Sequence, residues 1–142
     1  VPHLPPSLDL EPVAGDDLRR LQAILEACWS AFDRAVEAAR GKELRKGPRG
    51  GGRELAGIVE HVVGAEASYL SSLGGKAPKG DDVEERIDPL RRAILDTLEA
   101  AARGEIAPKG PRGGDRWKPR YFVRRAAWHV LDHAWEIEDR AK

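Results

Sequence analysis

His61, His129 and His133 are the residues of this chain whose type and spacing suit metal chemistry. His129 and His133 stand four apart in a segment of helical pattern. Both imidazoles therefore face one side, about one turn (~6 Å) apart along the axis. Two rings so placed can hold one metal ion. His61 lies in a separate helical segment and could supply a third nitrogen across a bundle core. The spacing alone also fits hydrogen-bonded core or boundary histidines. It is not the zincin pattern, because Val130 follows His129 where a general-base Glu would stand. His133 lies beside Ile137 and Ala126 on the apolar side, where an unpaired polar group is costly. Metal ligation would remove that cost.

Charged residues surround these histidines in the pattern. Asp132, Glu136 and Arg125 are angular neighbours of His129, and a carboxylate accepting a distal ring N–H would orient a ligand histidine. The same residues also read as an ordinary salt-bridged strip, with Arg125 and Asp132 seven apart on one face. Glu66 falls inside an apolar stripe and requires a partner, either an arginine in a structural ion pair or a role as catalytic base. Cys28 lies in another apolar stripe and reads as a small buried hydrophobe.

Four helical segments must position these groups. The first is predicted over Asp16–Ala39, with Asp16 or Asp17 as cap and Gly41 as stop. Leu18, Leu21, Leu25, Cys28, Phe32 and Val36 form its stripe. The second is predicted over Arg53–Leu73, stopped by Gly74 and Gly75. The third either starts near Asp82 and bends at Pro89, or follows a short turn and runs over 89–103. The fourth is predicted from Pro119 to about Arg140. It is apolar around most of its circumference, apart from Tyr121, Arg125, Asp132, Glu136 and Asp139, so it must be buried or meet a partner. Trp128, Leu131 and Trp135 lie opposite that polar strip. They suit either a cover for the Pro-rich residues 1–15, which read as an extended arm, or a dimer surface.

The chain of 142 residues fits one domain, residues 1–142. Lys and Arg balance Asp and Glu at 24 each, which argues against a globally basic nucleic-acid binder. One cysteine excludes an internal disulfide framework and a multi-Cys zinc finger. No apolar stretch approaches the roughly 18 residues of a membrane span. No secretion-type leader is visible, and the expected location is the cytoplasm. The missing Met points to a trimmed start. Ala, Leu, Glu and Arg dominate, so the composition is all-α. The scarcity of Asn, Gln, Cys and Met suits a thermophile, and high-GC coding gives the same bias. Lys46-Gly47-Pro48-Arg49-Gly50-Gly51 recurs as Lys109-Gly110-Pro111-Arg112-Gly113-Gly114. These read as two flexible glycine loops, or as basic loops that recruit an anion. A haem bundle lacks an attachment motif.

RELAGIVEHVVGAEASYL (53–70) and RWKPRYFVRRAAWHVLDHAWEIEDR (116–140) resemble the DinB/YfiT-like family of metalloenzymes. The likeness covers most of the chain in helix order. It is most specific in the helix-two His followed by Ala-Glu, paired with His-x-x-x-His in helix four. It implies an all-α four-helix bundle with up-down-down-up topology. It also implies a divalent ion (Zn, Ni, Fe or Mn) on His61, His129 and His133, and a homodimer. Some relatives are transferases or isomerases that use a low-molecular-weight thiol; others have no known activity. The expected function is therefore a metal-dependent enzyme acting on a small molecule, of the S-transferase or isomerase type. The alternative is a non-catalytic metal-binding or dimerising bundle. Three imidazoles leave open positions on an ion, as in catalytic sites. A thiol or water bound there would lose its proton near neutral pH. Glu66 or Glu136 would shuttle protons. Arg53 and Arg116, with Arg49 and Arg112, would hold carboxylates of the thiol. No membrane or nucleic-acid partner is expected.

Overall fold

The computed structural model describes Asp9, residues 11–46 and residues 52–142. Four α-helices carry these residues: α1 (Gly15–Ala39), α2 (Leu55–Leu73), α3 (Val83–Ala102) and α4 (Pro119–Arg140). No strand occurs among the described residues; Lys109 and Asp115 form an isolated bridge. The all-α bundle expected from the composition is the one observed.

The helix ends follow local chemistry, with some departures from expectation. α1 starts at Gly15 without a side-chain cap. Asp16 and Asp17 instead occupy its first turn, where they complement the helix dipole and pair with Arg19 and Arg20. α3 is one continuous helix that includes Pro89. Its cap is Asp82, whose side chain accepts the Glu84 N–H at 3.1 Å. Asp88-Pro89 is thus not a helix start. α2 ends at Gly74 in the left-handed conformation (φ 112°), where the Gly74 and Gly75 N–H groups close on the Leu70 carbonyl.

α1 packs most extensively on α4, and α2 lies between α4 and α3. The sequential pairs α1–α2 and α3–α4 meet only sparingly. That arrangement requires chain to cross the bundle and accounts for the long connections. Phe32, Leu25, Ile58, Leu70, Leu73, Ile94, Leu98, Phe122 and Ile137 form the centre of one core. Cys28 is buried in it, and burial pushes its thiol pKa up. Arg91 clamps α3 to α1 through a two-pronged pair with Asp33, both contacts 2.7 Å.

α4 is not enclosed on all sides. Trp128 and Trp135 are each 60% exposed, an unusual amount for tryptophan. On another side, Arg120 and Arg124 hold the described part of the N-terminal arm: Arg120 donates to the Glu11 and Pro12 carbonyls, and Arg124 pairs with Asp9. Residues 1–8 and 10 of the expected arm lie outside the described residues.

The second glycine-rich copy forms a hydrogen-bonded turn. Gly110 N–H donates to the Gly114 carbonyl, Gly113 N–H to the Gly110 carbonyl, and Lys109 pairs with Asp115 at 2.7 Å. Arg112 is exposed on it. Residues 47–51 of the first copy, Arg49 included, lie outside the described residues.

Candidate metal centre

His61 sits in the second turn of α2, and His129 and His133 face it from successive turns of α4. The helices bring the three rings together. Their centroids are separated by 5.2 Å (61–129), 4.9 Å (61–133) and 4.6 Å (129–133). One nitrogen from each ring lies within 4.8 Å of the other two. The Nε2 atoms of His61 and His129 are 3.3 Å apart. Ligands of one ion with bonds near 2 Å sit up to ~4 Å apart, so a small side-chain adjustment completes a common centre.

The donor set fits a metal. The three rings converge on one another, and the Nε2 atoms of two of them lie within hydrogen-bond distance of each other. His129 Nδ1 is buried with no partner among the described residues, leaving Nε2 as its engaged nitrogen. His129 is strongly biased to the neutral form that ligates metals: burial, then the neighbouring His133 and His61 and the charge of Arg125, lower its pKa to about 4 against the pull of Asp132. His61 is lowered too, by burial, then by Arg53 and His133, with Glu136 opposing.

Glu136 is the carboxylate that orients a ring. Its Oε1 lies 2.8 Å from His133 Nδ1, and its Oε2 accepts from Arg140 at 3.0 Å. Burial would raise the Glu136 pKa, but the bonds from His133 and Arg140 outweigh it and hold the carboxyl below its usual range. The partnership is with His133, not with His129 as the angular pattern had allowed. Arg140 is itself buried and donates to the Arg45 carbonyl, tying the end of α4 to the chain that leads into α2. Sequence reasoning missed Arg140, although its i+4 spacing from Glu136 was a usable signal.

Arg125 and Asp132 form no salt bridge among the described residues. Asp132 acts on His129 by charge, and the Arg125 guanidinium lies 5.9 Å from the centre of the Tyr69 ring. Tyr69 meets His129 edge-on at 5.7 Å and packs on Trp117 at 5.1 Å. An aromatic wall thus adjoins the histidines, which the sequence pattern did not single out.

Two residues chosen from the sequence are placed elsewhere. Glu66 is five residues beyond His61, a rotation of about 140° around the helix. It is buried facing α1 and α3, among Trp29, Arg91 and Asp33. Burial raises its pKa to about 7, against the opposing influence of Arg91 and the Trp29 indole, whose N–H falls outside good hydrogen-bond geometry. Arg91 is already committed to Asp33, so Glu66 gains neither a full ion pair nor access to the histidines. Arg116 lies against Gly74 at the C-terminal end of α2, some 20 Å along that helix from His61. Arg53, by contrast, is close enough to His61 to act on it by charge.

Among the described residues, no helix is long and apolar enough to cross a membrane. No curated protein matches the chain, and no solved structure does. A family model does match, over residues 24–137. That span runs from within α1 to the last turn of α4 and contains all three histidines, and the chain belongs to the DinB superfamily.

Proposed function

We propose that this protein is a metal-dependent enzyme in which His61, His129 and His133 hold one divalent ion of the Zn, Ni, Fe or Mn group. The convergence of one nitrogen from each ring within 4.8 Å carries this reading. With three neutral protein ligands the ion keeps open positions, as catalytic sites do. Such an ion supplies Lewis acidity and lowers the pKa of a thiol or water bound to it. The chain's own groups do the rest. Glu136, held by Arg140, orients the His133 ring, and Glu136 would accept or return a proton beside the centre. Arg53 contributes positive charge at the mouth of α2. The reaction class we favour is S-transfer or isomerisation dependent on a low-molecular-weight thiol, with a small-molecule substrate. Elemental analysis of untagged protein tests the metal: one ion per chain is expected, lost in His133→Ala. Full retention in that variant refutes the ligand assignment. A screen of several low-molecular-weight thiols with electrophilic substrates tests the reaction.

A second reading is favoured by the exposed tryptophans. Trp128 and Trp135 share a face of α4 with the half-buried Leu131, which suits association of two copies. On this reading the protein is a dimerising, metal-binding bundle without turnover.

A further inference from the structure

We propose that Arg125, with the Tyr69–Trp117 aromatic wall, forms a subsite beside the three histidines for the carboxylate of a small molecule with a flat apolar body. The inference deepens the reading above, and rests on it for the position of the reacting atoms.

Arg125 is half-buried, and its Nε is fully buried without a partner. Among the described residues its guanidinium makes no hydrogen bond and no ion pair, and it lies 5.9 Å from the centre of the Tyr69 ring. Most buried and half-buried arginines of the described bundle have a carboxylate: Arg86 has Glu60, Arg91 has Asp33, Arg120 has Asp17 and Arg140 has Glu136; Arg116, at the far end of α2, shares with Arg125 a buried Nε without a partner. The Nε–H sealed from water without an acceptor is costly, and the terminal amino groups carry no carboxylate and remain free to take an anion.

The surrounding charge points the same way. Arg53 acts on His61, Arg125 acts on His129, and Arg140 is spent on Glu136. Asp132 and Glu136 are the carboxylates that offset them. A divalent ion among neutral imidazoles would leave this neighbourhood clearly cationic. An anionic ligand restores the balance, and a planar carboxylate matches the two-pronged guanidinium fork.

The apolar part of the ligand is set by the wall. Tyr69 stands between His129 and Trp117, and Trp117 meets Tyr121 edge-on at 4.9 Å. Tyr69, Trp117, Tyr121 and Arg125 are all half-buried, so the group is reachable from solvent. Flat rings beside a guanidinium select a carboxylate with an apolar body over a small hydrated anion.

The test is a titration of the full chain with benzoate, followed by the side-chain Nε–H resonance of Arg125 and the indole N–H of Trp117. It is run on metal-free and on zinc-loaded protein. Benzoate is expected to shift both resonances saturably in both forms. Benzamide and inorganic phosphate are expected to leave them in place. Arg125→Gln is expected to weaken benzoate binding at least tenfold, and Arg125→Lys, which keeps the charge but loses the fork, by less. Absence of a saturable shift in the unmodified protein overturns the proposal, whatever the variants do. So does equal binding by benzamide, which would mean an apolar surface only. Equal binding by phosphate would mean a general anion site, and it too overturns the proposal. Zinc content is measured separately. Failure to take up zinc removes the metal reading and leaves the benzoate result to stand or fall by itself.

Discussion

His133 and Glu136 face each other across one turn of α4, with Nδ1 and Oε1 2.8 Å apart. The bond engages Nδ1 and leaves Nε2 as the free nitrogen of the ring, and the second carboxylate oxygen is held in turn by Arg140. A ligand ring held in this way binds more tightly than one free to turn. Glu136→Gln is expected to weaken zinc affinity about 10- to 100-fold with little change in fold. Competition against a chromogenic chelator measures it. Unchanged affinity would show that packing alone orients the ring.

Glu66 makes stability depend on pH in an uncommon direction. Its folded pKa, about 7, lies above the ordinary 4.5. The folded state therefore binds its proton more tightly than the unfolded chain does. The resulting stability is fully present below about pH 4.5 and is lost as pH rises through 7. The loss is on the order of 3 kcal/mol. Glu66→Gln is expected to remove this component, so that the variant gains on the parent progressively between pH 5 and 8. Urea unfolding of both proteins across that range checks the sign. A constant difference would show that Glu66 titrates normally.

Gly74 terminates α2 with φ 112°, and the Arg116 guanidinium occupies the space that a side chain there would need. Gly74→Ala is expected to cost roughly 1–3 kcal/mol, from backbone strain and from displacement of Arg116. Urea midpoints give the value. Because this end of α2 is remote from His61, zinc stoichiometry should not change.

Trp128 and Trp135 give the association reading its own test. Light scattering should show a dimer for the parent chain and a monomer for the Trp128→Glu, Trp135→Glu double variant, with metal content equal in both. A dimer that survives both substitutions would place the interface elsewhere.

Much of the arrangement was legible in the residues. The stripes of apolar side chains located all four helices, and α4 was bounded correctly because Pro119 suits a first helical turn and fixes its start. The histidines were legible because i and i+4 on one helix leave few alternatives, and the pairing of α2 with α4 followed from resemblance. Pro89 was ambiguous because a proline seven residues into a helix and a proline at a helix start carry the same local signal. Only the Asp82 cap, together with burial of Leu90, Ile94 and Leu98, decides for one long α3. Glu66 marks a different limit. Its place in an apolar stripe correctly announced burial, but a stripe wide enough to meet two neighbours does not say which one a given residue faces. Arg116 was close to α2 in the fold, but at its far end. Proximity in a motif string gives no register along a helix.

His61 and His129 are 68 residues apart in sequence, yet their nitrogens nearly touch. A cation gripped by both would act as a staple across that whole stretch, tying the α2 half of the molecule to the α4 half. Closure entropy grows with loop length, though slowly, so a cross-link over so long a span restrains the unfolded chain more than a short one would. Loading should therefore raise mechanical and thermal resistance throughout α2, α3 and α4 together, rather than just near the rings, and a chelator should release that whole unit at once.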